Sequence, residues 1–231
     1  MASGDVWAVV PAAGLGTRMG EGARKQFRML GGEPVLVRSL RVLASVVDAV
    51  VVAVREVEVK AVRGMLSDVE DLRDAVHAVV AGGDSRQASV ARGLDAVPKS
   101  AVIVLVHDAV RPFVTPEAVR AVAEAVREHG AAALAVPVAD TLRAGRDGAF
   151  GETVDRSGLW RMQTPQGARR DLLADALARA QQEGLVATDE VGALTRAGVE
   201  VAIVDGDERN LKLTRPADWA LAEAIWAQRS V

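Results

Sequence analysis

VWAVVPAAGLGTRMGEGARKQF, residues 6–27, joins an apolar run to a loop that carries both glycines and cations. Val6 to Ala13 holds no charged side chain. A run that is apolar throughout, rather than alternating, suits a strand covered on both faces in a mostly parallel sheet. Glycines where such a strand becomes a loop let the backbone approach a ligand, and successive N–H groups there form a concave nest for anions. Gly14, Gly16 and Gly20 are spaced G-x-G-x-x-x-G with Arg18 inside. That differs from the dinucleotide fingerprint G-x-G-x-x-G, and the Walker pattern fails because Lys25 precedes Gln26. Charge is what this loop adds: Arg18 offers a planar fork and Lys25 a mobile point charge, a combination suited to a triphosphate. The alternative is a plain glycine turn with solvated cations, which leaves their joint presence unexplained.

Working outward, similar apolar runs recur at Ala49–Val54, Val76–Ala81, Ala101–His107, Ala131–Val138 and Val199–Val204. Amphipathic segments separate them. Leu36, Leu40, Leu43 and Val47 share one helical face; Thr115-Pro116-Glu117 supplies an N-cap oxygen, a proline in the first turn and an acid at the positive end of the helix. Trp219, Ala222 and Trp226 mark the inner face of a last helix, and with Trp7 they read as packing residues. Alternating strands and helices predict an α/β chain: a single domain over 1–231 with a three-layer α/β/α, Rossmann-like, doubly wound fold and a mostly parallel sheet.

ADTLRAGRDGAFGETVDRSGL, residues 139–159, departs from this pattern. Its Asp147-Gly148 turn signal predicts a protruding β-hairpin arm, which has too few apolar side chains for a core of its own. Such an arm must rest on something else; a disordered surface loop is the alternative.

Half of the 231 residues are apolar and 26% charged, as in globular proteins. A net charge of −3 and a pI near 5.7 argue against a nucleic-acid-binding surface, so any anion must be held locally. The absence of cysteine excludes disulfides, thiolate zinc sites and cysteine catalysis. Met1 to Val6 has no leader-like pattern and no segment suits a membrane span, so the expected location is cytoplasmic.

Further motifs lie where strands end. His107-Asp108-Ala109-Val110-Arg111-Pro112 follows an apolar run, and open parallel sheets bind ligands beyond the carboxyl ends of their strands. Asp108 there is suited to holding nucleotide-bound Mg²⁺, to orienting a substrate hydroxyl or to capping a turn. His107 reads as structural, since the chain has three histidines without metal spacing. Gly82-Gly83-Asp84-Ser85 can bring backbone groups against a base edge, although it also reads as an ordinary strand-to-helix turn. Taken alone, Lys212 is a surface lysine, and Arg156 lies in the arm, far in sequence from the other cations.

Together these residues resemble a known family. Pro11-Ala12-Ala13-Gly14-x-Gly16-x-Arg18-Met19 with Lys25-Gln26-Phe27 looks like the signature loop of sugar nucleotidyltransferases. Gly82-Gly83-Asp84-Ser85-Arg86 with Ser89, the His107–Pro112 motif, Asp140-Thr141, Thr153-Val154-Asp155-Arg156, Thr164-Pro165-Gln166, Thr188-Asp189-Glu190 and Asn210-x-Lys212-x-Thr214 narrow it to the 2-C-methyl-D-erythritol 4-phosphate cytidylyltransferase family. Val110 departs from the alanine of many relatives.

The resemblance implies CTP as co-substrate, Mg²⁺ or another divalent cation, and methylerythritol phosphate as acceptor, in non-mevalonate isoprenoid precursor synthesis. It implies nucleotide contacts from Ala12, Ala13, Gly14, Gly16, Gly83, Asp84 and Ser89, with the Gly83 loop and Ser89 on the cytosine. Arg18, Lys25 and Lys212 are implied to balance phosphate charge, and Asp108, Ala109, Arg111, Thr141, Arg156, Thr188 and Lys212 to contact the acceptor. It further implies a homodimer with interlocking arms, in which Thr141, Arg156 and Thr188 complete the neighbour's site. Three other readings stand beside it. A ribitol 5-phosphate cytidylyltransferase is disfavoured by TVDRSGLW, a nicotinamide-dependent dehydrogenase by the glycine spacing, and a non-catalytic nucleotide-binding regulator by the unexplained cations.

Overall fold

The computed structural model describes residues 5–14 and 24–229. In chain order the elements are β1 (Val6–Pro11), β2 (Met29–Leu30), β3 (Glu33–Pro34), α1 (Val35–Ala44), β4 (Ala49–Val54), α2 (Val59–Ser67), β5 (Val76–Ala81), α3 (Arg86–Asp95), β6 (Ile103–Val106), α4 (Pro116–His129), β7 (Ala131–Pro137), β8 (Leu142–Arg146), β9 (Ala149–Val154), β10 (Trp160–Arg169), α5 (Arg170–Gln182), α6 (Glu190–Arg196), β11 (Ala202–Asp205) and α7 (Pro216–Arg229). A seven-stranded sheet in the order β11-β7-β10-β6-β1-β4-β5 carries the fold.

Each expected apolar run overlaps a strand of this sheet, and several of the strands are shorter than the run. The first ends at Pro11 rather than Ala13, and the last lies at Ala202–Asp205 rather than Val199–Val204. β1 pairs in parallel with β4 and β6, and its side chains alternate between two buried layers. Val6, Ala8 and Val10 pack with α1, α2 and α4, while Trp7 and Val9 pack with α3, α5 and α6. Burial on both faces is why the run is apolar without alternation. Thr115 caps α4 as expected, its Oγ1 accepting from Ala118 N at 3.2 Å.

β10 corrects the strand inventory drawn from sequence, which passed it over. It runs antiparallel to both of its neighbours, β6 and β7, in an otherwise parallel sheet. WRMQTPQGAR reads poorly as an interior strand because it is polar and contains a proline. Its ladder breaks between Met162 and Gln166, a gap that contains Pro165, which has no N–H to donate. Gln163, Thr164 and Gln166 are buried but hydrogen-bonded, so their desolvation is compensated.

The arm forms the expected hairpin. β8 pairs with β9, and Asp147 (φ 53°) and Gly148 (φ 81°) both adopt the left-handed conformation of a type I′ turn. Every side chain of β9 is exposed, Phe150 at 88%.

At the other end of the chain, Trp219 joins Leu30, Val35, Phe113 and Leu213 in a small core that docks α7 on β2. Arg28 stacks 3.9 Å from the Trp219 ring centroid and Arg38 3.4 Å from that of Trp226, which bears out the packing role of both tryptophans.

Candidate active site

β6 and β1 are neighbours in the sheet, with β5 beyond β4 on the far side of β1, and a cleft of about 410 Å³ opens beyond the carboxyl ends of β1, β5 and β6. Ala12, Ala13 and Gly14 continue β1 along one wall. Lys25 reaches the cleft from a 3-10 turn at Lys25–Phe27. That turn is tied to the end of β1 by Gln26, whose Nε2 donates to the carbonyls of Ala12 (2.8 Å) and Gly14 (3.4 Å). Gly83-Asp84-Ser85, which leads into α3, forms another part of the wall. Ser85 Oγ caps the helix by accepting from Ala88 N at 3.0 Å, and Ser89 Oγ accepts from Gly83 N at 3.1 Å. A Cβ on Gly83 would stand 2.5 Å from that of Ala88, so glycine is what lets the loop lie against α3.

Asp108 follows β6 and sits on the floor of the cleft. Its Oδ1 meets Arg86 Nε at 3.1 Å, and its Oδ2 meets Lys212 Nζ at 2.9 Å and Arg111 Nε at 3.5 Å. Burial opposes the charge, but these three cations outweigh it and hold the carboxyl well below the usual carboxylate range. Arg86 is in turn shared with Glu190, which is 2% exposed and takes two bonds, from Nη1 at 2.6 Å and Nη2 at 2.9 Å. Neither Arg86 nor Glu190 is singled out by sequence reading, although both lie in matched motifs; a pairing across 104 positions leaves no local trace. Arg86, Asp108 and Lys212 also border a second compartment of about 250 Å³, walled by Arg111, Thr164 and Thr188.

Two adjoining compartments sharing one charged wall suit a reaction between two anionic substrates. The profile of a family described as 2-C-methyl-D-erythritol 4-phosphate cytidylyltransferase matches residues 6–228. The chain belongs to this family. A Salinibacter ruber protein of that name is 51% identical over 220 residues, covering 94% of this chain and 91% of the relative. Its Deinococcus radiodurans counterpart is 48% identical, covering 94% and 88%. The crystal structure of 2-C-methyl-D-erythritol 4-phosphate cytidylyltransferase from Thermus thermophilus superposes with a TM-score of 0.80 at 36% identity, covering 96% of this chain and 99% of that one.

Of the residues expected from the family, Ala12, Ala13, Gly14, Lys25, Gly83, Asp84, Ser89, Asp108, Ala109 and Lys212 line the larger compartment. Arg18 and Gly16 lie outside the described residues. Thr188 lines the smaller compartment of its own chain, together with Asp108. Arg111 borders the same compartment while donating to the carbonyls of Asn210 (2.6 Å) and Met162 (3.2 Å), which fastens the Lys212 loop to β10. Thr141 and Arg156 border neither compartment. Arg156 is exposed at the base of the arm and donates to the Ala139 carbonyl.

Among the described residues, Asp108 is not arranged as a resident magnesium site. Each Asp108 oxygen already faces a cation, and no cluster of three or more His, Cys, Asp or Glu side chains occurs among the described residues. Among those residues, too, no helix is long and apolar enough to cross a membrane.

His107 is structural, as its sequence setting suggested. Its Nε2 lies 3.1 Å from the Arg111 carbonyl, which only accepts, so Nε2 carries the hydrogen and Nδ1 accepts from Thr164 Oγ1 at 3.0 Å. Burial holds this imidazole neutral, with its pKa down to about 4 from 6.5. Between these values the unfolded chain binds a proton that the native state refuses, so stability falls as pH drops, by about 1.4 kcal/mol per pH unit. Glu190, raised by burial against the pull of Arg86, acts in the opposite sense above 4.5, and Asp108 matters only below 3.8. The difference between wild type and His107→Gln isolates the histidine. Urea melts from pH 7 down to pH 5 should show the variant less stable at pH 7 but with a flatter pH dependence; parallel profiles would mean that His107 takes up its proton as readily in the native state as in the unfolded chain.

Proposed function

We propose that the chain transfers the cytidylyl group of CTP to 2-C-methyl-D-erythritol 4-phosphate, giving 4-diphosphocytidyl-2-C-methyl-D-erythritol and pyrophosphate, a step of non-mevalonate isoprenoid precursor synthesis. The observation that carries this reading is the position of Lys212: held by Asp108 at 2.9 Å, it faces both compartments at once, where the two phosphates must meet. Magnesium bound to CTP would neutralise charge on the nucleotide's phosphate oxygens, and it would need at most one or two carboxylates from the protein. An oxygen of the acceptor phosphate attacks the α-phosphorus in line; the bond to the β-phosphate breaks and pyrophosphate leaves with its electron pair. The attacking phosphate is already ionised near neutral pH, so no general base is required and His107 stays outside the chemistry. Catalysis is then positioning plus charge stabilisation, with Lys25 on the nucleotide's outer phosphates and Lys212 beside the reacting phosphorus.

Offered a panel of sugar and polyol phosphates with CTP and Mg²⁺, the protein should release pyrophosphate with methylerythritol phosphate. Equal release with ribitol 5-phosphate would remove the selectivity. CTP binding without release from any acceptor would favour a nucleotide-binding regulator.

The arm supports a homodimer reading: a two-stranded ribbon exposing Phe150 is marginal alone and gains stability by packing on a second copy. There Arg156 and Thr141 reach the partner's smaller compartment and clamp the acceptor phosphate. Mixing inactive Arg156→Ala with inactive Lys212→Ala under subunit exchange should restore partial activity, because one of the two sites in each heterodimer is intact. If mixing restores nothing, the arm does not donate across the interface.

A further inference from the structure

Arg86 borders both compartments, and a guanidinium in that position has a choice of anions. Its Nε holds Asp108 Oδ1 at 3.1 Å, but incoming phosphates offer it stronger partners. Glu190 takes both of its terminal nitrogens, at 2.6 and 2.9 Å, and itself borders neither compartment. Glu190 is anchored in turn. Its backbone N and that of Val191 donate to Gln166 Oε1 at 2.9 and 3.0 Å, Gln166 Nε2 donates to Asp189 Oδ2 at 3.1 Å, and Asp189 Oδ1 caps α6 by accepting from Gly192 N at 2.9 Å. A chain of fixed groups therefore runs from β10 through the start of α6 and the start of α3 to Asp108.

We infer that Glu190 is a positioning residue for the transfer reaction: by occupying the fork of Arg86 it keeps Arg86 Nε on Asp108 Oδ1, which leaves Asp108 Oδ2 to Lys212 and, at longer range, Arg111. The inference rests on the cytidylyl-transfer reading. Without the Glu190 charge, Arg86 swings toward the phosphates, Asp108 loses the cation on Oδ1, and Lys212 is drawn back to cover the whole carboxylate, away from the reacting phosphorus. Ground-state binding of phosphate is kept, because a cation has moved toward it, while transition-state stabilisation by Lys212 is lost. A purely structural ion pair behaves differently, lowering the folded fraction but leaving the turnover of the folded molecules unchanged.

Glu190→Gln keeps the shape and one acceptor but removes the charge. The expected result is a kcat lower by on the order of 10²-fold with KM for CTP and for the acceptor not raised. Glu190→Asp, which restores the charge but is too short for both bonds, should fall between the Gln variant and wild type. Wild-type kcat in a folded Gln variant overturns the inference, and so does a raised KM at unchanged kcat, the mark of lost uniform binding. If the Gln variant does not fold, the Asp variant decides alone: reduced kcat with unchanged KM supports the positioning role, and wild-type kcat refutes it. Wild-type protein assayed alongside separates the two failures, since absence of pyrophosphate there sinks the transfer reading itself.

Discussion

Lys212→Ala is expected to lower the rate of pyrophosphate release by 10²-fold or more, on the order of the loss seen when one preorganised charge-stabilising group is removed, while the melting temperature stays close to that of wild type. The two halves of this expectation have separate causes. Lys212 is 36% exposed at its side chain and packs in no core cluster, so its truncation leaves no cavity. Asp108 keeps Arg86 and Arg111 as partners, so no buried charge is stranded. On the proposed reading, what disappears is a cation that Asp108 holds in advance at the point where charge builds on the reacting phosphorus. Lys25→Ala should behave likewise, because Gln26 fastens the turn to β1 through its bonds to the Ala12 and Gly14 carbonyls. Steady-state pyrophosphate release together with thermal melts reads both halves. A rate near wild type in either variant would remove charge stabilisation by that lysine.

Arg86→Met should have the opposite profile, with stability as the first casualty. Glu190 is 2% exposed and has Arg86 as its ion-pair partner, so the substitution leaves a carboxylate buried without compensation. Breaking a buried pair from one side costs about 3–5 kcal/mol. Replacing both members with apolar groups removes the stranded charge, so Arg86→Met/Glu190→Leu should recover most of that loss. Urea unfolding of the wild type, the single and the double variant forms the cycle. A single variant as stable as wild type would show that Glu190 is protonated or solvated in the native protein, and the network around Asp108 would then need a different account.

Legibility of the fold in the sequence followed burial. β1 and β4 are covered on both faces and read as uninterrupted apolar runs, so their existence, and within two residues their bounds, were visible. β10 occupies an equally interior place but reads as a loop, because Gln163, Thr164 and Gln166 become acceptable inside the sheet only through partners far along the chain: the Asp207 carbonyl, His107 and the start of α6. Its polarity is a property of those partners' positions and not of the local stretch. The hairpin arm was legible for the converse reason. Its Asp147-Gly148 turn is a local conformational requirement that needs no distant contact.

The site divides in the same way. Amino-acid order alone specified the glycine loops, the cations Lys25 and Lys212 and the strand-end Asp108, since each of these is marked by its neighbours in the chain and together they carry the family pattern. Three-dimensional packing settled which charges share a partner: Arg86 with Glu190 and Asp108, Asp108 with Lys212, and Thr188 with its own chain's compartment. Coulombic attraction depends on separation and on how much water is excluded, and neither is defined until the strands that end in these residues lie side by side.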